Sequence, residues 1–158
     1  MKTAPKAELK AALLRHLEAA LAAARVAHAS AIEGSTHEEA RAENDKDTRG
    51  LEQSYLARGQ AQRVAELEAA IGDVTALALR TFAAASAIAM SALVTIDEDG
   101  ITRQFFVAPA GGGSMLGAVQ VITPSSPLGR ALLGKRAGDE VELQLPGASR
   151  ALAITSVG

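Results

Sequence analysis

The feature that most constrains this chain is a long apolar stripe near its start. From Lys6 to about Ile32, Leu9, Leu13, Leu17, Ala20, Ala24, Ala27 and Ala31 recur in alternating steps of four and three. That period puts them on one face of a helix. A single alanine-rich stripe cannot hold an isolated helix together, so it demands a partner lying alongside. The partner is written downstream in "TRGLEQSYLARGQAQRVAELEAAI", where Ala57, Ala61, Val64, Leu67 (or Glu68) and Ile71 repeat the spacing. At ~1.5 Å per residue the first stripe makes a rod of about 40 Å, longer than a small globular core needs. The expectation is an antiparallel coiled-coil hairpin.

Between the stripes lies "EGSTHEEARAENDKD". Gly34 can end the first helix, Ser35 or Thr36 can cap a short turn, and Asn44 or Asp45 can start the second helix. This tip gathers Glu38, Glu39, Glu43, Asp45 and Asp47 with His37, Arg41, Lys46 and Arg49. Such acids can be a solvated loop that complements a helix dipole. They can also be a carboxylate pair that shares a hard cation such as Mg²⁺ with a partner. Spacing leaves both readings open.

The composition changes near Ile71–Thr81. Only Pro5 lies before that point, whereas the other four prolines and most β-branched residues follow it. Two domains are expected, 1–80 and 81–158. In the second, Ser91–Ile96 and Ile101–Val107 flank "DEDG" as a hairpin, with Gly100 where φ turns positive. "AVQVIT", "GDEVELQL" and "RALAITSV" read as three further strands, and the glycines of "GGGS" as a flexible loop between strands. Ser125 or Ser126 caps a short helix with Pro127 in its first turn, and Gly134 ends it. Leu128, Leu132 and Leu133 supply that helix's side of the core. The fold class is α+β: a helical hairpin, then an antiparallel sheet with one short helix.

Other function classes find little support. With 16 Lys+Arg against 18 Asp+Glu, the formal charge of −2 gives no case for non-specific DNA or membrane-surface binding. Cysteine is absent, which removes disulfides and thiolate chemistry. The start lacks a signal-type apolar core, and "FAAASAIAMSALV" is short of the ~20 residues that span a bilayer. A cytoplasmic monomer is expected. No HExxH, GxGxxG or GxxxxGK[ST] occurs. Tyr55, Phe82, Phe105 and Phe106 are the whole aromatic set, too few for the aromatic-lined pocket of a prolyl isomerase.

"SSPLGRALLGKRAGDEVELQLPG" resembles the C-terminal signature of bacterial GreA/GreB transcript-cleavage factors. The matching elements are Ser126-Pro127, Leu133-Gly134-Lys135, Gly138-Asp139-Glu140-Val141 and Pro146-Gly147. The preceding hairpin with an acidic tip has the order and size of that family's N-terminal domain. The family's tip pattern, Gly-Asp-x-x-Glu-Asn followed by Tyr, is represented here only by Asn44-Asp45 and Tyr55. The resemblance implies an FKBP-like C-terminal domain that binds bacterial RNA polymerase, with Ser126, Pro127, Leu128 and Arg130 at the contact. It implies a coiled coil inserted in the polymerase's secondary channel, so that transcribing nucleic acid is met only through the polymerase. It further implies tip carboxylates Glu43, Asp45 and Asp47 that assist cleavage of backtracked RNA. Glu43 and Asp45 would touch a Mg²⁺ shared with the polymerase. On this resemblance the chain is no enzyme itself and has no cofactor of its own.

Overall fold

The computed structural model describes residues 5–41 and 48–158, the side chains of 35–41, 48–50 and 53 excepted. Two compact units divide the chain. One is Arg15–Gly72; the other is Asp73–Gly158 together with the first turns of the opening helix as far as Leu14.

Two helices make up the first unit, α1 (Lys6–Arg41) and α2 (Thr48–Thr75), whose ends pass into the second. Arg25 Nη2 meets Glu68 Oε1 at 3.2 Å, and His28 Nδ1 lies 3.2 Å from the Ala57 carbonyl oxygen. Going forward along α1 therefore goes backward along α2, and the pair is antiparallel. The α1 stripe is seated as its period predicts: Leu17, Ala24 and Ala31 are buried and Ala20 and Ala27 half-buried, with Leu21, outside the expected stripe, buried beside them. On α2, Leu67 and not Glu68 takes the inward place, leaving Glu68 free to meet Arg25 at the surface. Ala61 is exposed and Gln60 takes its seat, one residue off the expected step.

Gly34 does not end α1, which continues through it to Arg41. A helical glycine costs about 1 kcal/mol relative to alanine. That is too little to break a helix followed by "HEEAR", rich in good helix formers. Ser35 and Thr36 consequently fall within α1.

The second unit carries a six-stranded sheet. Its strands are β1 (Leu93–Glu98), β2 (Ile101–Val107), β3 (Met115–Leu116), β4 (Val119–Ile122), β5 (Glu140–Leu145) and β6 (Ala148–Val157), in the order β3-β4-β2-β1-β6-β5. Asp99 and Gly100 both have positive φ, 52° and 82°, so β1 and β2 are joined by the two-residue turn whose twist suits a hairpin. The sheet is not wholly antiparallel: β4 runs parallel to β2. The cause is β3, a two-residue strand absent from the sequence reading. The chain passes the end of β2, descends through β3, reverses at Gly117 and Ala118 and climbs beside β2. The glycine segment that makes the descent is bonded rather than slack. Gly113 N donates to the Val121 carbonyl at 2.8 Å, and Ser114 N to that of Gly111 at 3.1 Å.

One sheet face carries the core under α3 (Pro127–Leu132), with Leu132, Ile96, Phe105, Ile122 and Ile154 among its buried residues. Leu128 and Leu133 pack against it partly buried. Phe106 alternates to the other face and is completely buried there. In the same unit Leu9, Leu13, Val74 and Leu77 are buried. Lys10 Nζ donates to the carbonyls of Thr75 and Leu77 at 3.1 and 2.8 Å. Lys6 Nζ donates to those of Arg80 and Gly158 and stands 4.6 Å from the centre of the Phe82 ring. Burial first, and then the Arg80 charge, hold the Lys6 pKa below its ordinary value.

Candidate partner-docking site

The short helix α3 is built by three local devices. Ser126, at φ −68° and ψ 155°, accepts a hydrogen bond at Oγ from Gly129 N at 3.0 Å. The same hydroxyl donates to the Thr123 carbonyl at 2.8 Å, so both of its capacities are spent on the fold. Pro127 follows at the first helical position, where a missing N–H costs nothing. Gly129 then lies so close to the preceding loop that a Cβ there would sit 1.9 Å from the Thr123 oxygen. At the far end, Gly134 (φ 82°) donates its N–H to the Ile88 carbonyl at 2.9 Å, and Ile88 N returns a bond to Lys135 O at 2.8 Å. The helix is pinned at both ends.

Between the start of α3 and the core face of the sheet opens a pocket of about 300 Å³. Pro127 and Leu128 form its α3 side; Ile96, Phe105, Leu143 and Leu152 are among its apolar walls. Its polar groups are Glu98, Arg103, Gln120, Ser126 and Arg150. The strand register explains the cluster of charges. Arg103 is opposite Ile96, two residues before Glu98, and Leu143 is opposite Arg150, so the charges gather at the end nearest the β1–β2 turn.

Glu98 and Arg150 meet in a two-pronged ion pair, with Arg150 Nε donating to Glu98 Oε1 at 2.5 Å and Nη2 donating to Oε2. The fork geometry of guanidinium and carboxylate favours this pairing. The Arg150 hydrogen bonds, aided by the charges of Arg150 and Arg103, hold the Glu98 carboxyl below its ordinary pKa against an opposing desolvation. The same pairing raises Arg150.

Of the contact residues expected from the sequence, Ser126, Pro127 and Leu128 line the pocket together. Arg130 does not. It is exposed, and its Nε donates to the Ser125 carbonyl at 3.0 Å. The acids Glu43, Asp45 and Asp47 lie outside the described residues. Among the described residues no group of three or more His, Asp or Glu could hold a metal ion, and no helix is long and apolar enough to cross a membrane. Sequence reasoning missed Glu98, Arg103, Phe105 and Arg150 as members of one site. The only signal was period-2 alternation in "TIDEDGITRQFF" and "SRALAI", and joining the strands needed their register.

Residues 84–158 match the family profile described as transcription elongation factor, GreA/GreB, C-terminal. Among solved structures, GreA factor homolog 1 (Gfh1) of Thermus thermophilus is 22% identical, covering 92% of this chain and 94% of its own, with a TM-score of 0.41. Gfh1 of Thermus aquaticus is 23% identical with the same coverage and a TM-score of 0.42. A GreA/GreB elongation factor from Nitrosomonas europaea is 25% identical over 43% of this chain and 57% of its own, with a TM-score of 0.36. No curated protein matches the chain. The profile falls on the sheet, α3 and the pocket, the elements that carry the sequence signature. Residues 84–158 are thus similar to the C-terminal domain of GreA/GreB transcription elongation factors.

Proposed function

We propose that this chain is a Gre-type transcription factor that binds bacterial RNA polymerase through the α3 pocket and works through the acidic segment joining its two long helices. The observation that carries the docking half is the pocket itself: Ser126, Pro127 and Leu128 converge on one apolar cleft in the domain that carries the family signature. Because the Ser126 hydroxyl is committed to the cap, its part in docking is to hold α3 in shape, while Pro127 and Leu128 present apolar surface.

For the working half, the coiled coil enters the polymerase's secondary channel and stimulates cleavage of backtracked RNA. Glu43 and Asp45 lend carboxylates to a Mg²⁺ held at the polymerase's own active site, with Asp47 as the third acid of the segment. In two-metal phosphoryl chemistry the metals stabilise the attacking and leaving oxygens, and the protein supplies positioned carboxylates. Hydrolysis remains the polymerase's reaction, and this chain is an accessory factor rather than an enzyme.

A second reading keeps the docking and drops the cleavage. The segment "AENDKD" departs from the family's Gly-Asp-x-x-Glu-Asn order, and that difference favours a channel-entering regulator that blocks substrate access. One experiment separates the two. A backtracked elongation complex with end-labelled RNA and Mg²⁺ is treated with wild type or with a Glu43→Ala, Asp45→Ala, Asp47→Ala variant. Accelerated cleavage by the wild type, falling to the factor-free rate in a variant that still binds, supports the first reading. Binding without acceleration supports the second. Absence of binding overturns both.

A further inference from the structure

We infer that the α3 pocket is also a binding site for a small amphipathic anion, an apolar body ending in one negatively charged group, whose occupancy competes with docking of the polymerase. The competition rests on the docking reading above; the ligand site does not. Three observations lead there. The volume, about 300 Å³, is at the lower end of the ~300–1,000 Å³ range of small-molecule sites. Its walls are apolar on both sides, Leu128 and Pro127 from α3 and Ile96, Phe105, Leu143 and Leu152 from the sheet. Its charged end is unbalanced: two guanidinium groups face one carboxylate among the side chains that line it.

The imbalance resides in Arg103. Glu98 is committed on both oxygens to Arg150. Arg103 is exposed and, among the described residues, makes no ion pair. A carboxylate or sulfonate reaching the mouth of the pocket finds a guanidinium with its donors open, while the body of the ligand covers Phe105 and the leucines. A cationic amphiphile would meet Arg103 with like charge, and a neutral one would gain the apolar walls alone. The selectivity is therefore for anions, and it is carried by one residue outside the core.

The test uses the full chain and two fluorescent probes that share an apolar body: anilinonaphthalene sulfonate, which is anionic, and phenylnaphthylamine, which is neutral. Saturable one-to-one binding of the sulfonate is expected, displaced by decanoate and at least fivefold less well by decanol. Arg103→Glu should weaken the sulfonate at least fivefold and leave the neutral probe within twofold, which also reports that the variant is folded. Leu128→Trp, which fills the cleft from the α3 side, should weaken both. No saturable binding, or sulfonate affinity indifferent to Arg103→Glu, overturns the ligand site. In a parallel arm, decanoate should lower polymerase capture by the wild type, whereas decanol at the same concentration should not. If decanoate binds the chain and leaves polymerase capture unchanged, the competition falls and the ligand site stands. If Leu128→Trp abolishes capture while no probe binds, docking stands and the ligand site falls.

Discussion

Gly129 is the residue on which the docking helix depends most directly. A methyl group there would stand 1.9 Å from the Thr123 oxygen and 2.9 Å from Ser126 Oγ. The first contact is with backbone, which cannot rotate away as a side chain can. Gly129→Ala should therefore displace the start of α3 and destabilise the domain by about 1–3 kcal/mol, the usual cost of overpacking. Ser126→Ala removes the cap and should cost about 1 kcal/mol. Urea unfolding measures both, and a Gly129→Ala midpoint equal to wild type would contradict the close approach. Glu98 gives a prediction in pH. Its folded pKa lies below the ordinary glutamate value of ~4.3. The stabilisation from its pairing is thus complete above that value and is lost as pH falls through the lower, folded one. The wild type's advantage over Arg150→Met should hold at neutral pH and vanish in acid, and the Glu98 carboxyl should titrate higher in the variant than in the wild type.

At the scale of elements, the long helices test how a stripe becomes a seam. Leu67 is 3% exposed and faces inward, while Ala61 is exposed despite fitting the expected step. Leu67→Ala should cost about 2–5 kcal/mol, as for other buried leucines. Ala61→Glu should change stability by less than about 0.5 kcal/mol. Helical circular dichroism on heating reads both, and a large loss from Ala61→Glu would restore the simpler register. The same pair shows what was legible beforehand. Periodicity located both helices, because burial of one face leaves a 3.6-residue trace in the sequence. It could not choose between Gln60 and Ala61, since alanine packs or faces water with little difference in free energy. Gly34 misled for a related reason: its helix penalty is small beside the propensity of the residues after it. In the sheet domain Pro127, Gly134 and the Asp99-Gly100 turn were readable because each meets a fixed backbone demand. The pocket was not, because Glu98, Arg103 and Arg150 come together only through β1–β2 and β1–β6 pairing across as many as fifty-two residues. The parallel β4 was hidden too. A two-residue β3 leaves no pattern to find.

At the scale of the whole molecule, the change in composition near residue 80 and the folding unit of the sheet are different things. Composition changes where the long helices end. The compact unit that contains the sheet begins earlier, at Asp73, and includes α1 as far as Leu14. Leu9 and Leu13 are 2% and 0% exposed, Val74 and Leu77 are buried, and Lys6 and Lys10 each donate to two carbonyl oxygens of this same unit. Full burial of an aliphatic side chain of this size contributes about 1.5–3 kcal/mol. Losing four of them would remove a large share of the ~5–15 kcal/mol that holds a typical domain together. A fragment of residues 81–158 lacks all four, together with both lysines. It should unfold at markedly lower urea than the sheet of the full chain, and the amides of β2 and β4 beside Phe106 and Val121 should lose hydrogen-exchange protection first. Restoring Asp73–Arg80 should recover part of the loss, through Val74 and Leu77, but not the share due to Leu9 and Leu13. Equal protection in fragment and full chain would mean that the first turns of α1 are passengers on the sheet and that residues 81–158 fold without them.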